Sequence, residues 1–549
     1  MDQTRVQVRP RRRSEIEILP LGGCGEIGMN LMLYGFQSRW LIVDCGMALR
    51  QDLHDTPLQI PDVSPLATLG IRPEAIVITH GHEDHLGALG WLWPRFGCPV
   101  YATPLAASIV RQKLVEQGLA TDAIRTFTPG THFDAGPFSV QSINVAHSIP
   151  ESVSLLLEVD RHRILHTGDW KIDPQPMLGS RTREQDFTRI APVDLVVGDS
   201  TNAMVENHSH SESEVAATIE RLMEGCEGRI VVSCFASNLA RILATGLAAR
   251  RHHRRIALLG RAMEKMVRLG RELGYLDDFP DTVPLSDIGY LPPGEILILA
   301  TGSQGEPRAA LSRLAANQHS ALEIEPGDCI IFSSRAIPGN ERAVMRLQQA
   351  FTQRGAHVYS DEAHPGLHAS GHPGRDELLN MYQWVKPAHL LPVHGENAHQ
   401  KAHCEIAGTL GIESSILPVN GQWLRWNGKR MTLESTLTLS PVIISQRKRA
   451  RKPSSRQNET IIVLPVIYQT HTGQWQRVGR MLIDSQVNAF VDEETLGDWV
   501  DITLENMTAR SSKELAHLLE ELADHWLREQ LRQSSKITVD IVDTTLRAQ

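Results

Sequence analysis

The stretch EAIVITHGHEDHLGALGWLW, residues 74–93, decides the fold of this chain. Its apolar, β-branched residues 75–79 are typical of a buried strand. That strand leads directly into four side chains that commonly bind metal ions: His80, His82, Asp84 and His85. Nitrogen and carboxylate ligands at this density suit zinc or manganese better than calcium. A chance surface cluster of histidines is rare directly after an apolar strand, so the sequence predicts a metal site here.

The overall composition indicates a soluble globular protein of several domains. The 549 residues exceed what one core usually supports, so we expect two or three domains. No apolar run approaches the roughly 18 residues of a membrane span, and the basic tail 1–14 lacks the apolar core of a secretory signal. The net charge of −9 argues against a protein that coats nucleic acid, but it permits a locally basic channel. Seven scattered cysteines without a C-x-x-C pair favour a reducing cytoplasm.

Residues 15–205 have the pattern of the first part of a mixed α/β domain. Strand-like segments and glycine turns over 15–45 predict a β-meander, followed by a strand at 99–102 and a helix at 104–118. Asp44 ends the third strand of the meander. A buried carboxylate there could orient a metal-bound histidine, or it could cap the turn before Gly46.

Three further candidate ligands follow apolar runs much later in the chain: His147, Asp169 and His394. A single histidine after a strand is usually structural. Beside the first cluster these residues become candidate metal ligands, because a dinuclear site needs more ligands and a bridging carboxylate. The ligand set is complete only if the chain returns to the same sheet edge.

An α/β layer is predicted at 206–358. Its buried strands alternate with helices at 213–225 and 238–251. Small, amide-rich loops follow several of the strands, at 235–238, 301–307 and 333–341. Such loops at the carboxyl ends of parallel strands bind ligands, and exposed backbone N–H groups hold phosphate oxygens. Glycine and serine also make simple turns, so each loop alone is weak evidence.

The first domain is expected to return at 359–445. The run HPGLHASGHPGRD carries three histidines, which could form a further metal site or act on a phosphate: His364, His368 and His372. Their spacing does not choose between these roles. The basic run 446–458 is predicted to be an exposed linker. Residues 459–549 predict a small α/β domain with an amphipathic helix at 512–533.

The motifs resemble two nested families. HGHEDH, HTGDWK and PVHGE resemble the metallo-β-lactamase superfamily, whereas GDSTN, GRAM, TGSQGEP and HASGH resemble the β-CASP nucleases, specifically the ribonuclease J group. The similarity covers about residues 15–440, and GGCGEIGMN matches the opening turn apart from Cys24. The resemblance implies a metallo-β-lactamase αββα sandwich with an inserted β-CASP α/β domain and a small C-terminal α/β domain.

The same resemblance implies site roles. One divalent ion would be held by His80, His82 and His147, the other by Asp84, His85 and His394, with Asp169 bridging; zinc is expected, with manganese as the alternative. Asp44 and Asp199 match positions that support these ligands. Asp84, Asp169 and His372 match catalytic positions. The substrate-binding segments correspond to Phe235, Ala236 and Ser237, and to His368, Ala369, Ser370, Gly371 and His372.

The resemblance further implies a 5′-to-3′ exonuclease that also cuts internally. It implies a preference for single-stranded RNA with a 5′ monophosphate, and dimers or tetramers formed through the C-terminal domain. Two ions would activate water and neutralise charge on the phosphate, while a cationic His372 would stabilise the phosphate or protonate the leaving 3′ oxygen. DNA as the substrate, a small-molecule metallohydrolase and a catalytically silent RNA-binding protein are the alternatives. Every ligand position is filled, which argues against the last.

Overall fold

The computed structural model describes residues 14–49, 58–306, 309–319, 322–337 and 340–444, together with residue 504 and the segments 459–469, 474–477, 482–484 and 536–543. The chain forms two compact units, Met1–Gln446 and Arg447–Gln549. None of the helices in the described ranges is long and apolar enough to cross a membrane. The predicted linker 446–458, the predicted helix 512–533 and all but the last residue of the predicted tail 1–14 lie outside the described residues.

The first sheet of the larger unit combines an antiparallel meander with parallel strands. In the described part of the chain its strands are β1 (Ile16–Gly22), β2 (Leu31–Phe36), β3 (Arg39–Val43), β6 (Pro73–Val77), β7 (Val100–Ala102), β8 (Ile124–Thr126), β20 (Gln422–Trp426) and β21 (Met431–Thr436). Their order is β21-β20-β1-β2-β3-β6-β7-β8. The antiparallel β1, β2 and β3 form the meander predicted for 15–45, and β6 and β7 continue the sheet in parallel.

The second sheet faces the first. Its described strands are β9 (His132–Ala135), β10 (Phe138–Asn144), β11 (Val153–Val159), β12 (His162–His166), β13 (Leu195–Asp199) and β19 (His389–Val393), in the order β19-β13-β12-β11-β10-β9. A small sheet joins β4 (Ala48–Leu49), β5 (Leu58–Ile60) and β22 (Val442–Ile444). The helices of this part are α1 (Ser64–Thr68), α2 (Glu83–Leu86), α3 (Leu89–Phe96), α4 (Pro104–Glu116), α5 (Glu184–Thr188), α11 (Arg375–Val385) and α12 (Asn397–Gly408).

Alternating side chains on the strands bury both faces of each sheet. Leu33 of β2 packs on the helical side with α3 and α4, whereas its neighbour Tyr34 packs between the sheets with Leu157 of β11. Leu156, on the opposite face of β11, packs with Met381 of α11. The layers are therefore helix, sheet, sheet and helix, which confirms the predicted αββα sandwich.

The inserted layer is a parallel sheet with helices. Within the described residues its strands are β14 (Ile230–Ser233), β15 (Arg255–Leu259), β16 (Ile296–Ala300), β17 (Cys329–Phe332) and β18 (His357–Ser360), ordered β15-β16-β14-β17-β18. Its helices are α6 (Glu212–Glu224), α7 (Leu239–Arg251), α8 (Arg261–Glu272), α9 (Ala310–Ala315) and α10 (Glu341–Gln353), with short 3₁₀ turns at Ile288–Tyr290 and Pro293–Glu295. The side chains of Ser211 and Asn238 accept backbone N–H bonds and begin α6 and α7 close to the predicted positions.

A disulfide joins Cys226, which follows α6, to Cys329, the first residue of β17. The remaining cysteines of the described residues are free. Nothing in the spacing of the seven cysteines indicated this pair, since the two residues are separated by 103 positions and neither lies in a C-x-x-C motif.

The smaller unit contains a sheet of four described strands. They are β23 (Glu459–Gln469), β24 (Gln474–Arg477), β25 (Leu482–Asp484) and β26 (Lys536–Asp543). β23 pairs antiparallel with β24 and β25, and parallel with β26. The strands predicted at the start and the end of 459–549 are therefore present.

Candidate metal centre

The candidate ligands lie at the carboxyl ends of strands from both sheets of the sandwich. β6 of the first sheet leads into the turn before α2, and β10, β12 and β19 of the second sheet each lead to a further candidate. Facing sheets bring these strand ends to one edge. The residues collected there are His80, His82, Asp84, His85, His147, Asp169 and His394.

A first group joins three imidazoles to one carboxylate. Nδ1 of His82 lies 3.1 Å from Nε2 of His80 and 3.0 Å from Nε2 of His147. Oδ2 of Asp169 lies 3.7 Å from Nε2 of both His80 and His147. A tetrahedral zinc ion with bonds of about 2.0–2.1 Å holds its ligand atoms roughly 3.3 Å apart. The group therefore has the spacing of a metal-binding site.

A second group lies beside the first and shares Asp169 with it. Oδ2 of Asp84 lies 3.2 Å from Nε2 of His394 and 3.5 Å from Nε2 of His85. Nε2 of His85 lies 3.2 Å from Oδ2 of Asp169. Within each group the potential ligand atoms lie within 4.8 Å of one another. Asp169 is thus placed between two possible metal positions.

The imidazole nitrogens that face away from the groups have partners in the protein. Nδ1 of His85 donates to Oδ2 of Asp44 at 2.7 Å, and Nδ1 of His147 donates to the carbonyl of Gly371 at 2.7 Å. Asp44 is held in turn by the N–H and hydroxyl of Thr79, at 2.8 and 2.9 Å. These acceptors place the proton on Nδ1, so the Nε2 lone pairs point into the groups. Converging lone pairs repel one another unless a cation lies between them, so this donor set fits divalent ions.

Asp199, at the end of β13, supports two histidines of the centre. Its Oδ2 lies 2.8 Å from Nδ1 of His372, and its Oδ1 accepts the hydroxyl of Thr201, which also contacts His394. His372 lies 3.8 Å from Asp169, and one fifth of its side chain is exposed. His372 also falls in a third group of possible ligands with Asp169, Asp199 and His394. Geometry alone therefore permits either a ligand role or a phosphate role for His372.

Burial and nearby carboxylates shift the pKa values of the imidazoles in opposite directions. Burial lowers the pKa of His82 to about 4, so this ring is in the neutral form that binds metals. Burial alone would also lower the pKa of His394, but the carboxylate of Asp169 and those around it raise it to about 10. The pKa of His372 is likewise raised against its burial, chiefly by Asp199 and Asp169.

The return segment 368–372 lies directly against the centre. A Cβ on Gly371 would approach the ring of His147 to 2.5 Å, so only glycine fits there. The carboxylate of Asp361 accepts the backbone N–H of His368 at 3.1 Å and holds the start of the segment. Burial and the nearby charge of Arg241 lower the pKa of His368 to about 3, which keeps this ring neutral.

The remaining predicted substrate residues, Phe235, Ala236 and Ser237, are half-buried in the loop between β14 and α7. Arg241, in the first turn of α7, ties this region to its surroundings. The guanidinium donates to the carbonyls of Ser333 at 2.8 Å and Leu367 at 3.2 Å, and it forms a fully buried ion pair with Glu212. The loops after β14 and β17 and the segment leading to His368 are therefore hydrogen-bonded together.

Several residues that shape the centre were not identified from the sequence. Asn202 donates to Oγ of Ser370 at 2.7 Å and to the carbonyl of His372 at 3.2 Å. Asn30 places its side-chain amide 3.0 Å from Nε2 of His85. Both residues lie in motifs quoted for the family resemblance, GDSTN and GGCGEIGMN, and that was the signal available for them. Thr201 also lies in GDSTN, and Arg241 lies three residues after the loop 235–238.

Comparison with known families agrees with this architecture. Residues 39–232 match a beta-lactamase superfamily domain, residues 227–350 match the ribonuclease J beta-CASP domain, and residues 362–418 match a Zn-dependent metallo-hydrolase RNA specificity domain. A crystal structure of a protein of unknown function from Enterococcus faecalis aligns with a TM-score of 0.55 and 14% identity, covering 75% of this chain and all of the other. That structural likeness shows the fold alone. The sandwich and its two ligand groups thus define a metal-dependent hydrolase of the metallo-β-lactamase superfamily.

Curated relatives narrow the class further. Ribonuclease J of Sinorhizobium meliloti is 42% identical over 419 residues, which cover 75% of this chain and 74% of the relative. Ribonuclease J of Mycolicibacterium smegmatis is 36% identical, and the match covers 78% of both chains. Ribonuclease J of Thermus thermophilus is 37% identical, and the match covers 74% of both chains. This chain belongs to the ribonuclease J family. It is a metal-dependent ribonuclease that binds RNA.

Proposed function

We propose that this ribonuclease degrades single-stranded RNA from the 5′ end, one nucleotide at a time, and also cuts internally. The observation that carries the proposal is the position of the segment 368–372. Its Gly371 carbonyl contacts metal-ligand candidate His147, and Leu367, the residue just before the segment, is tied through Arg241 to Ser333 in the loop after β17. One short segment therefore connects the predicted cleavage centre with the predicted phosphate-binding loops.

Two divalent ions, zinc or alternatively manganese, complete the proposed centre. His80, His82 and His147 would hold one ion, and Asp84, His85 and His394 the other, with Asp169 shared. When bound, such ions make water nucleophilic at neutral pH and offset charge on the reacting phosphate. Asp84 is the more accessible carboxylate, with one third of its side chain exposed against 3% for Asp169. We therefore assign Asp84 to holding and deprotonating the attacking water, and Asp169 to bridging.

His372 acts on the phosphate in this proposal. Water attacks phosphorus, the bond from phosphorus to the 3′ oxygen breaks, and the 3′ oxygen takes a proton. Nδ1 of His372 lies 2.8 Å from Asp199 and the side chain is partly exposed, so in the protonated form its Nε2–H would donate that proton or stabilise the charged oxygens. The products are a 3′ hydroxyl and a 5′ phosphate on the downstream fragment.

The proposed site for the terminal 5′ monophosphate lies among the loops after β14 and β17. These strands are neighbours in the sheet although they are not consecutive in the chain, and ligands of parallel sheets bind at the carboxyl ends where connections diverge in this way. Ser237 and the backbone N–H groups of the loop 235–238 would receive the phosphate. A cytoplasmic location and a dimer or tetramer formed through residues 459–549 remain part of the proposal.

The experiment compares matched RNA and DNA strands carrying a 5′ monophosphate or triphosphate, with zinc, manganese or a chelator. Monophosphorylated RNA should be degraded fastest from its 5′ end, and chelation should abolish cleavage. Ser237→Phe should depress exonuclease activity more than internal cutting, whereas Ser286→Phe, at an exposed position of the inserted layer, should change neither. Equal loss of both activities in Ser237→Phe, or no loss, would contradict the proposed phosphate site.

A further inference from the structure

Glu377 lies in the first turn of α11 and is completely buried. Its two carboxylate oxygens accept backbone N–H groups from three different segments. Oε1 accepts Ile172 at 2.6 Å, while Oε2 accepts Ser209 at 2.9 Å and Gly374 at 2.8 Å. Across the described residues no basic side chain forms an ion pair with it, so these N–H donors and the helix N-terminus stabilise the carboxylate.

The three donors belong to segments that lead directly to the metal centre. Ile172 follows Asp169 by three residues, and Gly374 follows His372 by two. Ser209 lies on the connection into the inserted layer, and its hydroxyl donates to the carbonyl of His372 at 2.6 Å. One carboxylate thus holds the backbone on either side of the space where the phosphate would lie.

The contacts exceed what a helix cap requires. A capping residue at this position needs only the bond to Gly374, which begins α11. The bonds to Ile172 and Ser209 reach segments outside the helix. Only glycine fits at position 374, because a Cβ there would approach the carbonyl oxygen of Asn207 to 2.3 Å.

We propose that Glu377 is a positioning residue that sets the distance of His372 from Asp169 and so aligns the imidazole with the scissile phosphate. This inference rests on the phosphate role proposed for His372. Glu377 acts through the backbone and does not touch the substrate. A catalytic group displaced by 1 Å can lose about 10²-fold in rate.

Glu377→Gln tests the inference because an amide group cannot accept from all three segments. One of its two atoms is an N–H donor, which must face either Ile172 or the pair formed by Ser209 and Gly374. We expect kcat on monophosphorylated RNA to fall about 10–100-fold, with KM and metal content unchanged. Asp328→Asn is the control at another buried carboxylate, which accepts two backbone N–H groups and also pairs with Arg229, at the amino end of β17. It should leave kcat unchanged.

A double-mutant cycle separates positioning from a merely structural role. In the His372→Ala background, Glu377→Gln should lower kcat by less than about twofold, because the group that it positions is already absent. Ser209→Ala, a milder change at a half-buried position, should lower kcat on the order of 3–10-fold by loss of one hydrogen bond, and this effect should also vanish in His372→Ala.

The outcomes distinguish the inference from the proposed function. Multiplicative effects of Glu377→Gln and His372→Ala, or a change in melting temperature alone, would overturn the positioning role of Glu377. If Glu377→Gln does not fold, Glu377→Asp, which keeps the carboxylate but shortens the side chain by one methylene, takes its place in the same cycle. Unchanged kcat in His372→Ala itself would instead refute the role proposed for His372.

Discussion

Replacing Asp44 with asparagine should weaken metal binding while the protein remains folded. Asp44 is 1% exposed; its Oδ1 accepts the Thr79 N–H, and its Oδ2 accepts both the Thr79 hydroxyl and Nδ1–H of His85. Asparagine can keep the bond from the Thr79 N–H, but its amide nitrogen then faces Nδ1–H of His85. Two donors in contact drive the proton of His85 to Nε2, which is the nitrogen that faces the metal position.

Two independent considerations give the expected loss in metal affinity. The structure loses one hydrogen bond of 2.7 Å to a charged acceptor, which typically contributes about 1.5–3 kcal/mol. Loss of a residue that orients a metal-bound histidine typically costs about 10–100-fold in metal affinity, which corresponds to about 1.4–2.8 kcal/mol. The two agree, so we expect the dissociation constant of the ion that His85 would hold to rise by one to two orders of magnitude.

Competition with a chromogenic chelator measures this constant directly. Wild type, Asp44→Asn and the control Asp328→Asn are titrated under the same conditions, with circular dichroism recorded on each sample. Asp328→Asn removes a buried carboxylate elsewhere in the chain and should bind metal as the wild type does. The orienting role of Asp44 is wrong if Asp44→Asn binds metal as tightly as the control, or if it loses metal only together with its folded structure.

Two further changes test the buried polar groups. Arg241→Met leaves Glu212 buried without its partner and should cost about 3–5 kcal/mol in urea unfolding, a loss that Arg241→Met combined with Glu212→Gln should partly restore. His403, which is buried against Tyr382, has its pKa lowered by burial to about 4. Its contribution to stability is therefore complete above pH 6.5 and lost as the pH falls towards 4. At pH 5 the loss of unfolding free energy should be about 2 kcal/mol, at 1.36 kcal/mol for each pKa unit. Unfolding measured at pH 7.5 and 5 should show a smaller decrease in stability for His403→Gln than for the wild type, by this amount.

The ends of apolar strands were the informative feature of the sequence. A strand end fixes where a side chain leaves the sheet, so residues that follow buried runs could be assigned to one edge before any contact was known. That reasoning brought His147, Asp169 and His394 to the cluster that begins at His80. The αββα sandwich itself was expected from the family resemblance, since β2 and most of β11 are buried on both faces and show no polar alternation.

Contacts between distant segments could not be predicted in this way. Glu377 has the sequence signature of an ordinary residue in the first turn of a helix, and nothing local indicates its bonds to Ile172 and Ser209. The Cys226–Cys329 pair joins residues 103 positions apart in the chain. β18 is short and partly exposed, so it lacks the apolar run that identified the other four described strands of the inserted sheet.

The way in which the inserted layer joins the sandwich explains why its residues reach the metal centre. β13 and β19 are parallel neighbours, and Asp199 at the end of β13 lies opposite Val393, immediately before His394. The chain leaves for the inserted layer after Asp199 and returns through the segment 368–372. Both connections therefore begin or end at the edge that carries the ligands, and the returning one places the Gly371 carbonyl on His147. The segment that returns from the inserted layer is therefore hydrogen-bonded directly to a candidate metal ligand, and it carries His372 beside Asp199.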